Sequence, residues 1–157
     1  EVAAALDGTG AAVARGAERL EEAAGAALAA LEAAQKAEQK ALEAELAETA
    51  YPDRLARRLR KDLEQRQQRA LRRARSDVVA ELVTALETYY RDALVEPSLP
   101  AEPGARGVPL NLVLEAIDAC RQALAVIVAR TAVNDTLLLE HLLLRLPSPA
   151  TLTGTPE

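Results

Sequence analysis

The chain has 157 residues and a formal net charge of −5, with 27% charged and 50% nominally hydrophobic residues, yet its only aromatics are three Tyr, and Phe, Trp and Met are absent. Thirty-five residues are Ala, twenty of them within 1–50, so a core has to come from Leu, Val and Ile. Long Ala/Glu/Leu/Arg stretches poor in β-branched and aromatic residues exclude an all-β domain and predict an all-α fold, a helical bundle with a long projecting helix and an Ala-rich N-terminal arm.

Residues 1–10 end in Asp7-Gly8-Thr9-Gly10, a loop signal. From about Ala11 to Thr49 the sequence predicts a helix. Its sparse stripe is Leu20, Ala24, Leu28, Leu31, Gln35, Glu38, Leu42 and Leu46, with polar residues interrupting the apolar seam at Gln35 and Glu38. Gly16 and Gly25 weaken this helix, each by roughly 1 kcal/mol relative to Ala. Alone the arm has little to bury, so it is expected to dock on a neighbour.

Tyr51-Pro52-Asp53 is the clearest internal boundary, because Pro52 disfavours helical geometry at Tyr51 and Asp53 can cap a helix beginning there. A second helix is predicted over 53–95, with its first half projecting and its second half packed. Its expected stripe is Leu55, Leu59, Leu63, Ala70, Ala74, Val78, Leu82, Leu86, Tyr89 and Ala93. Residues 96–109 hold four Pro and two Gly and read as a loop. Pro109 suits the first turn of a third helix over 110–130, whose apolar face is Leu110, Val113, Leu114, Ile117, Cys120, Leu124, Ile127 and Val128. A fourth helix over 135–146, capped by Asn134 or Asp135, is apolar nearly all round and is expected to be the most enclosed element. Residues 148–157 read as a disordered tail. These elements divide the chain into an arm over 1–52 and a helical domain over 53–147.

Nothing in this pattern reads as catalytic. The one imidazole, His141, lies in the most hydrophobic helix, where a helix-face residue with its polar tip at the bundle edge is the expected role. Cys120 sits on an apolar face, which predicts an unreactive thiol. As the sole cysteine it excludes a disulfide framework and a multi-cysteine zinc site, and it suits a reducing, cytoplasmic compartment. Gly8-Thr9-Gly10 lacks the ending of a phosphate-binding loop. No cofactor, metal or small-molecule substrate is expected. No run of about 18 apolar residues exists to span a membrane, and no signal peptide is visible. The start at Glu1 rather than Met reads as a fragment of a longer protein.

The segment 54–75 stands out by charge. Arg54, Arg57, Arg58, Arg60, Lys61, Arg66, Arg69, Arg72, Arg73 and Arg75 face only Asp62 and Glu64, a local net of +8 that leaves −13 for the rest. Clustered Arg can contact phosphates, with Arg66, Arg69, Arg72 and Arg73 as candidates. Against DNA stand the absence of interleaved aromatics and basic residues that circle the helix. The acidic arm (Glu18, Glu21, Glu22, Glu32, Glu38, Glu43, Glu45 and Glu48) offers a competing partner, and solvated or protein-facing charge is the favoured reading.

Three stretches converge on one family. Leu63-Glu64-Gln65-Arg66-Gln67-Gln68-Arg69 through Arg75-Ser76-Asp77 resembles the basic linker helix of the delta-prime subunits of bacterial DNA polymerase III, in the form found in high-GC Gram-positive bacteria. Tyr89-Tyr90-Arg91-Asp92-Ala93-Leu94 is similar to a signature of their C-terminal domain. Glu115-Ala116-Ile117-Asp118-Ala119-Cys120-Arg121, then Asn134 and Leu137-Leu138-Leu139-Glu140-His141-Leu142-Leu143, resemble their last two helices. Asp7-Gly8-Thr9-Gly10 and the helix after it look like the end of an AAA+ lid. The family often has Pro soon after the Asn cap, where this chain has Thr136.

The resemblance implies the all-helical collar domain of a clamp loader, a non-catalytic subunit fragment that supports sliding-clamp loading in DNA replication. Its implied partners are other clamp-loader subunits, delta and gamma/tau, with primer-template DNA reached mainly through the complex. The apolar surplus on the fourth helix and on 82–94 points to Tyr89, Tyr90, Arg91, Leu138 and Leu142 as subunit-interface candidates, with internal packing of at least one of the two tyrosines the favoured alternative. The competing expectation is a free-standing helical adaptor or oligomerisation module, in which the 11–49 arm and the 53–95 helix pair as an antiparallel coiled coil.

Overall fold

A computed structural model describes residues 1–49, 51–95, 109–129 and 134–148. Of these, 88% are helical, with four α-helices and no strand among the described residues, so the fold is all-α. A short 3-10 turn (Ala3–Ala5) precedes α1 (Gly10–Glu48), α2 (Asp53–Val95), α3 (Leu110–Val128) and α4 (Asp135–Arg145). The ends match the sequence-based bounds to within two residues. Residues 96–108 of the Pro-rich loop and 149–157 of the tail lie outside the described residues.

Local chemistry explains the ends. Gly8 takes φ +80°, a left-handed turn. The Asp7 carboxylate accepts from the Thr9 amide (2.9 Å) and hydroxyl (2.5 Å), and Thr9 Oγ1 accepts from the Ala12 amide (3.2 Å), a side-chain cap on α1. At α2 the Pro52 carbonyl accepts from Leu55 (2.8 Å) and Ala56 (3.1 Å), so Pro52, not Asp53, sits at the cap position. Asn134 caps α4 by accepting from the Thr136 amide (3.0 Å).

The chain forms two compact units, one from residues 1–23 with 79–157 and one from 24–78. This division cuts both long helices, unlike the expected break at 52. In the first unit, four helical segments enclose one apolar core. Val13, Ala17 and Leu20 enter from α1, and Val79, Val83, Leu86 and Tyr90 from α2. Val113, Ala116, Ile117, Ala119, Cys120 and Ala123 enter from α3, and Leu139, Leu142 and Leu143 from α4, with Leu146 just beyond its end. Steps of three and four residues in each segment give one buried stripe per helix. Ala3 and Leu6 close one end. Ser148, expected in a disordered tail, is buried.

Polar contacts tie the same elements together. Arg121 pairs with Glu87 at 3.0 Å, linking α3 to α2. Arg145 donates to Gln122 at 2.6 Å, and the Thr136 hydroxyl donates to Glu21. Gly16 sits where a Cβ would lie 3.0 Å from Leu143 Cδ1 and 3.2 Å from Val2 Cγ1. Its missing side chain is therefore a packing requirement, and the helix-propensity loss is its local cost.

The second unit is an antiparallel helical hairpin, with Glu43 opposite Arg60 and Glu38 opposite Arg66. The first half of α2 packs along the second half of α1, so this stretch of the arm docks within its own chain. Ala24, Leu28, Ala56 and Leu63 are buried, and Leu31, Leu42, Leu46 and Leu59 half-buried.

Candidate functional site

Two surfaces gather the chemistry predicted from the sequence. The first is the outside of α3 and α4. α4, apolar nearly all round, is covered on one side only. Leu139, Leu142 and Leu143 are buried, but Leu137 and Leu144 are 60% and 65% exposed. At about 100° per residue these two lie within about 20° of each other and point away from the buried trio. On α3, Leu110, Leu114 and Val128 are likewise exposed, while the core side holds three Ala. The expected α3 face therefore divides: Val113, Ile117 and Cys120 turn inward, whereas Leu110, Leu114 and Val128 turn outward.

The interface candidates divide in the same way. Tyr90 is fully buried and donates its hydroxyl to the Pro147 carbonyl at 3.2 Å. Leu142 is also in the core. Leu142 is corrected from surface to interior, and of the two tyrosines Tyr90 is the one packed inside; neither has area left to offer. Tyr89 is 40% exposed and meets Tyr90 edge-on, ring centroids 5.2 Å apart at 86°. Leu138 is half-buried and Arg91 exposed. Burial raises the Tyr90 hydroxyl far above its ordinary value, with smaller contributions from Tyr89 and Cys120.

Cys120 is fully buried, and burial, with a lesser contribution from Glu87, pushes its thiol up to about 11. A thiol so placed is protonated at neutral pH and a poor nucleophile. His141 is exposed at the rim of a shallow α3–α4 depression of about 140 Å³, shared with Gln122, Val126, Leu138 and Arg145. That is well below the roughly 300 Å³ at which small-molecule pockets usually begin. Among the described residues, no group of three or more His, Cys, Asp or Glu could hold a metal ion. Nor is any helix among them long and apolar enough to cross a membrane.

The second surface is the hairpin, whose seam is closed by polar groups as well as leucines. Gln67 is only 5% exposed. Its side-chain amide donates to the Gln35 main-chain carbonyl (3.1 Å) and to Glu38 (2.8 Å), and its own side-chain oxygen accepts from Gln39 (2.7 Å). The Gln35 amide in turn donates to the Gln67 main-chain carbonyl at 3.1 Å. A buried amide left unmade costs about 1–3 kcal/mol, so this node favours one register over its neighbours. The sequence marks Gln35 and Glu38 only as interruptions. The signal for their partner Gln67 is its spacing: it stands four residues after Leu63 and three before Ala70, the vacant step of the expected α2 stripe, where Gln65 and Gln68 do not fit.

Beside the node run charged pairs. Arg60 grips Glu43 with two bonds, 2.7 and 2.8 Å, and Arg66 donates to Glu38. The bond from Arg60, more than its simple attraction, holds the Glu43 carboxyl below its ordinary range. Because the folded-state value is lowered, this contribution is present above the ordinary carboxylate range and is lost as pH falls through the lowered value.

The four arginine candidates accordingly separate. Arg66 is engaged with α1, Arg73 lies exposed on the flank, Arg72 lies on the face turned away from the seam, and Arg69 reaches from that face to a depression it shares with Asp62, Arg66 and Glu38. No family model, no curated protein and no solved structure matches the chain.

Proposed function

We propose that this chain is a non-catalytic, collar-like assembly piece of a bacterial replication clamp loader, working in the cytoplasm and holding neighbouring subunits through the outer sides of α3 and α4. The observation that carries this reading is the outward pair Leu137 and Leu144, diametrically opposed to the buried side of their own helix. Soluble proteins seldom place large apolar side chains together on a helix's solvent side unless a partner covers them. The order of the motifs along the chain, from the basic helix through Tyr89-Tyr90-Arg91-Asp92 to the Leu-rich last helix, supports the clamp-loader assignment specifically.

Native mass spectrometry of the chain mixed with the delta and gamma/tau collars tests it. The expected result is a stoichiometric complex that is lost on Leu137→Glu with Leu144→Glu, while the helical circular dichroism of the variant is retained. A chain that ignores those collars overturns the reading.

A second reading, a free-standing oligomerisation module, is favoured by the intrachain α1–α2 hairpin, which it also expects. It requires a defined oligomer of this chain alone in light scattering, and a monomer removes it.

A further inference from the structure

The hairpin sorts the cations of α2 by face, and the face opposite the seam is predominantly basic. With Leu63 and Gln67 fixing the buried side, Arg54, Arg58, Lys61, Arg69 and Arg72 fall on the far side at about 100° per residue, with Gln65 and Gln68 between them. The two acids of this segment border the strip and each meets one of its residues: Asp62 pairs with Arg58 (3.7 Å) and Glu64 accepts from Gln68 (3.1 Å). The acidic side chains of α1 that answer Arg60 and Arg66 are held at the seam. The result is a strip about 27 Å long at 1.5 Å per residue, with five cations and one bordering carboxylate, Asp62, in a chain whose total charge is −5.

The guanidinium groups on the strip are also aimed. Arg69 Nε donates to the Gln65 carbonyl at 3.1 Å and Arg72 Nε to the Gln68 carbonyl at 3.3 Å. Each fork is tethered to its own helix by one nitrogen. Gln65, Gln68, Arg69 and Arg72 line a shallow depression of about 290 Å³.

We infer that this strip is a docking surface for the phosphate backbone of duplex DNA, read without regard to sequence. Spaced cations along a line fit a regular polyanion, and the amides between them add neutral donors to phosphate oxygens. The strip has no aromatic residue on which unpaired bases could stack, which favours a duplex over a single strand. It has no large apolar side chain to enter a lipid surface either. The inference rests on the charge of one helix face and does not require the clamp-loader reading.

Fluorescence anisotropy of the full chain with a labelled 20-base-pair duplex tests it. Five neutralised phosphates predict a slope of log K against log salt of about −4.5, or roughly a 500-fold weakening between 50 and 200 mM salt. Lys61→Gln with Arg72→Gln should reduce the slope by about two, at 0.9 per phosphate. Arg60→Gln with Arg66→Gln, which removes the same charge from the seam side, should leave the slope unchanged. The inference is overturned by no duplex binding at 50 mM salt, or by equal losses in the two double variants. It is equally overturned by tighter binding to the single strand of the same sequence, or to vesicles containing phosphatidylserine, than to the duplex.

Discussion

The two units of this chain are held together by different physics. In the first, an uninterrupted apolar cluster runs from Ala3 to Leu146, and its polar contacts sit at the margins. In the second, two leucines and two alanines are buried among the described residues, and a glutamine shares their seam. Hydrophobic burial is non-directional and tolerates many arrangements. Hydrogen bonds between side-chain amides and main chain are satisfied in one arrangement only. The first unit thus derives its stability from burial, and the second its register from directed bonds.

Perturbing each unit through the force that holds it should break that contrast or sharpen it. The largest effect is expected at Tyr90→Ala, about 3–5 kcal/mol by analogy with other buried aromatics. Tyr89→Ala, one residue away, should cost only the ring contact, about 1 kcal/mol. Chemical denaturation of both variants checks the pair, and similar losses would show that the core of the first unit is misassigned.

A middle-sized effect belongs to Gln67. Gln67→Ala should cost about 1–3 kcal/mol, because Gln39 and Glu38 lose their partner at the seam. Gln67→Leu should keep most of the stability yet loosen the register. A disulfide between Lys36→Cys and Arg60→Cys, one heptad out of place, should then form in the Gln67→Leu background and not in the native one.

The smallest expected effect separates two glycines on α1. Gly25 has nothing within 4 Å of an added Cβ, so Gly25→Ala should raise stability by about 0.5–1 kcal/mol. Gly16→Ala brings the same helical gain but has to displace the buried Leu143, so no gain is expected. Thermal melts of the two variants side by side measure the difference.

Fold class and helix bounds were legible because composition and the Pro, Gly and Asn punctuation act locally. The stripe of α1 was legible as well, since Leu20, Ala24 and Leu28 follow one period from end to end. The stripe of α2 was not. Its buried positions are Ala56, Leu63 and Gln67 in one unit and Val79, Val83, Leu86 and Tyr90 in the other, and these two sets do not share a heptad phase. Carrying one period through all 43 residues put Leu55 and Tyr89 inside, where the structure exposes them, and left Tyr90 out. Adjacent pairs such as Val78-Val79 and Tyr89-Tyr90 fit either phase, and periodicity alone cannot choose between them. On α3, side-chain size misled. Three Ala turn inward, where the leucines of α4 fill the space, and the larger Leu110 and Leu114 are displaced outward. At the hairpin, the pairing of acidic arm with basic helix was anticipated, but the sorting of cations by face needed the seam to be located first.

The tethered guanidiniums of Arg69 and Arg72 carry one more implication. A long side chain that meets a ligand surrenders rotational freedom, and that entropic loss lowers the affinity of most surface cations. Here part of the loss has already occurred in the unliganded state, since one bond to the main chain restrains each side chain. Lysine has no second nitrogen with which to hold the helix while its ammonium faces outward, so an Arg→Lys exchange at these two positions would preserve the charge and forfeit the preparation.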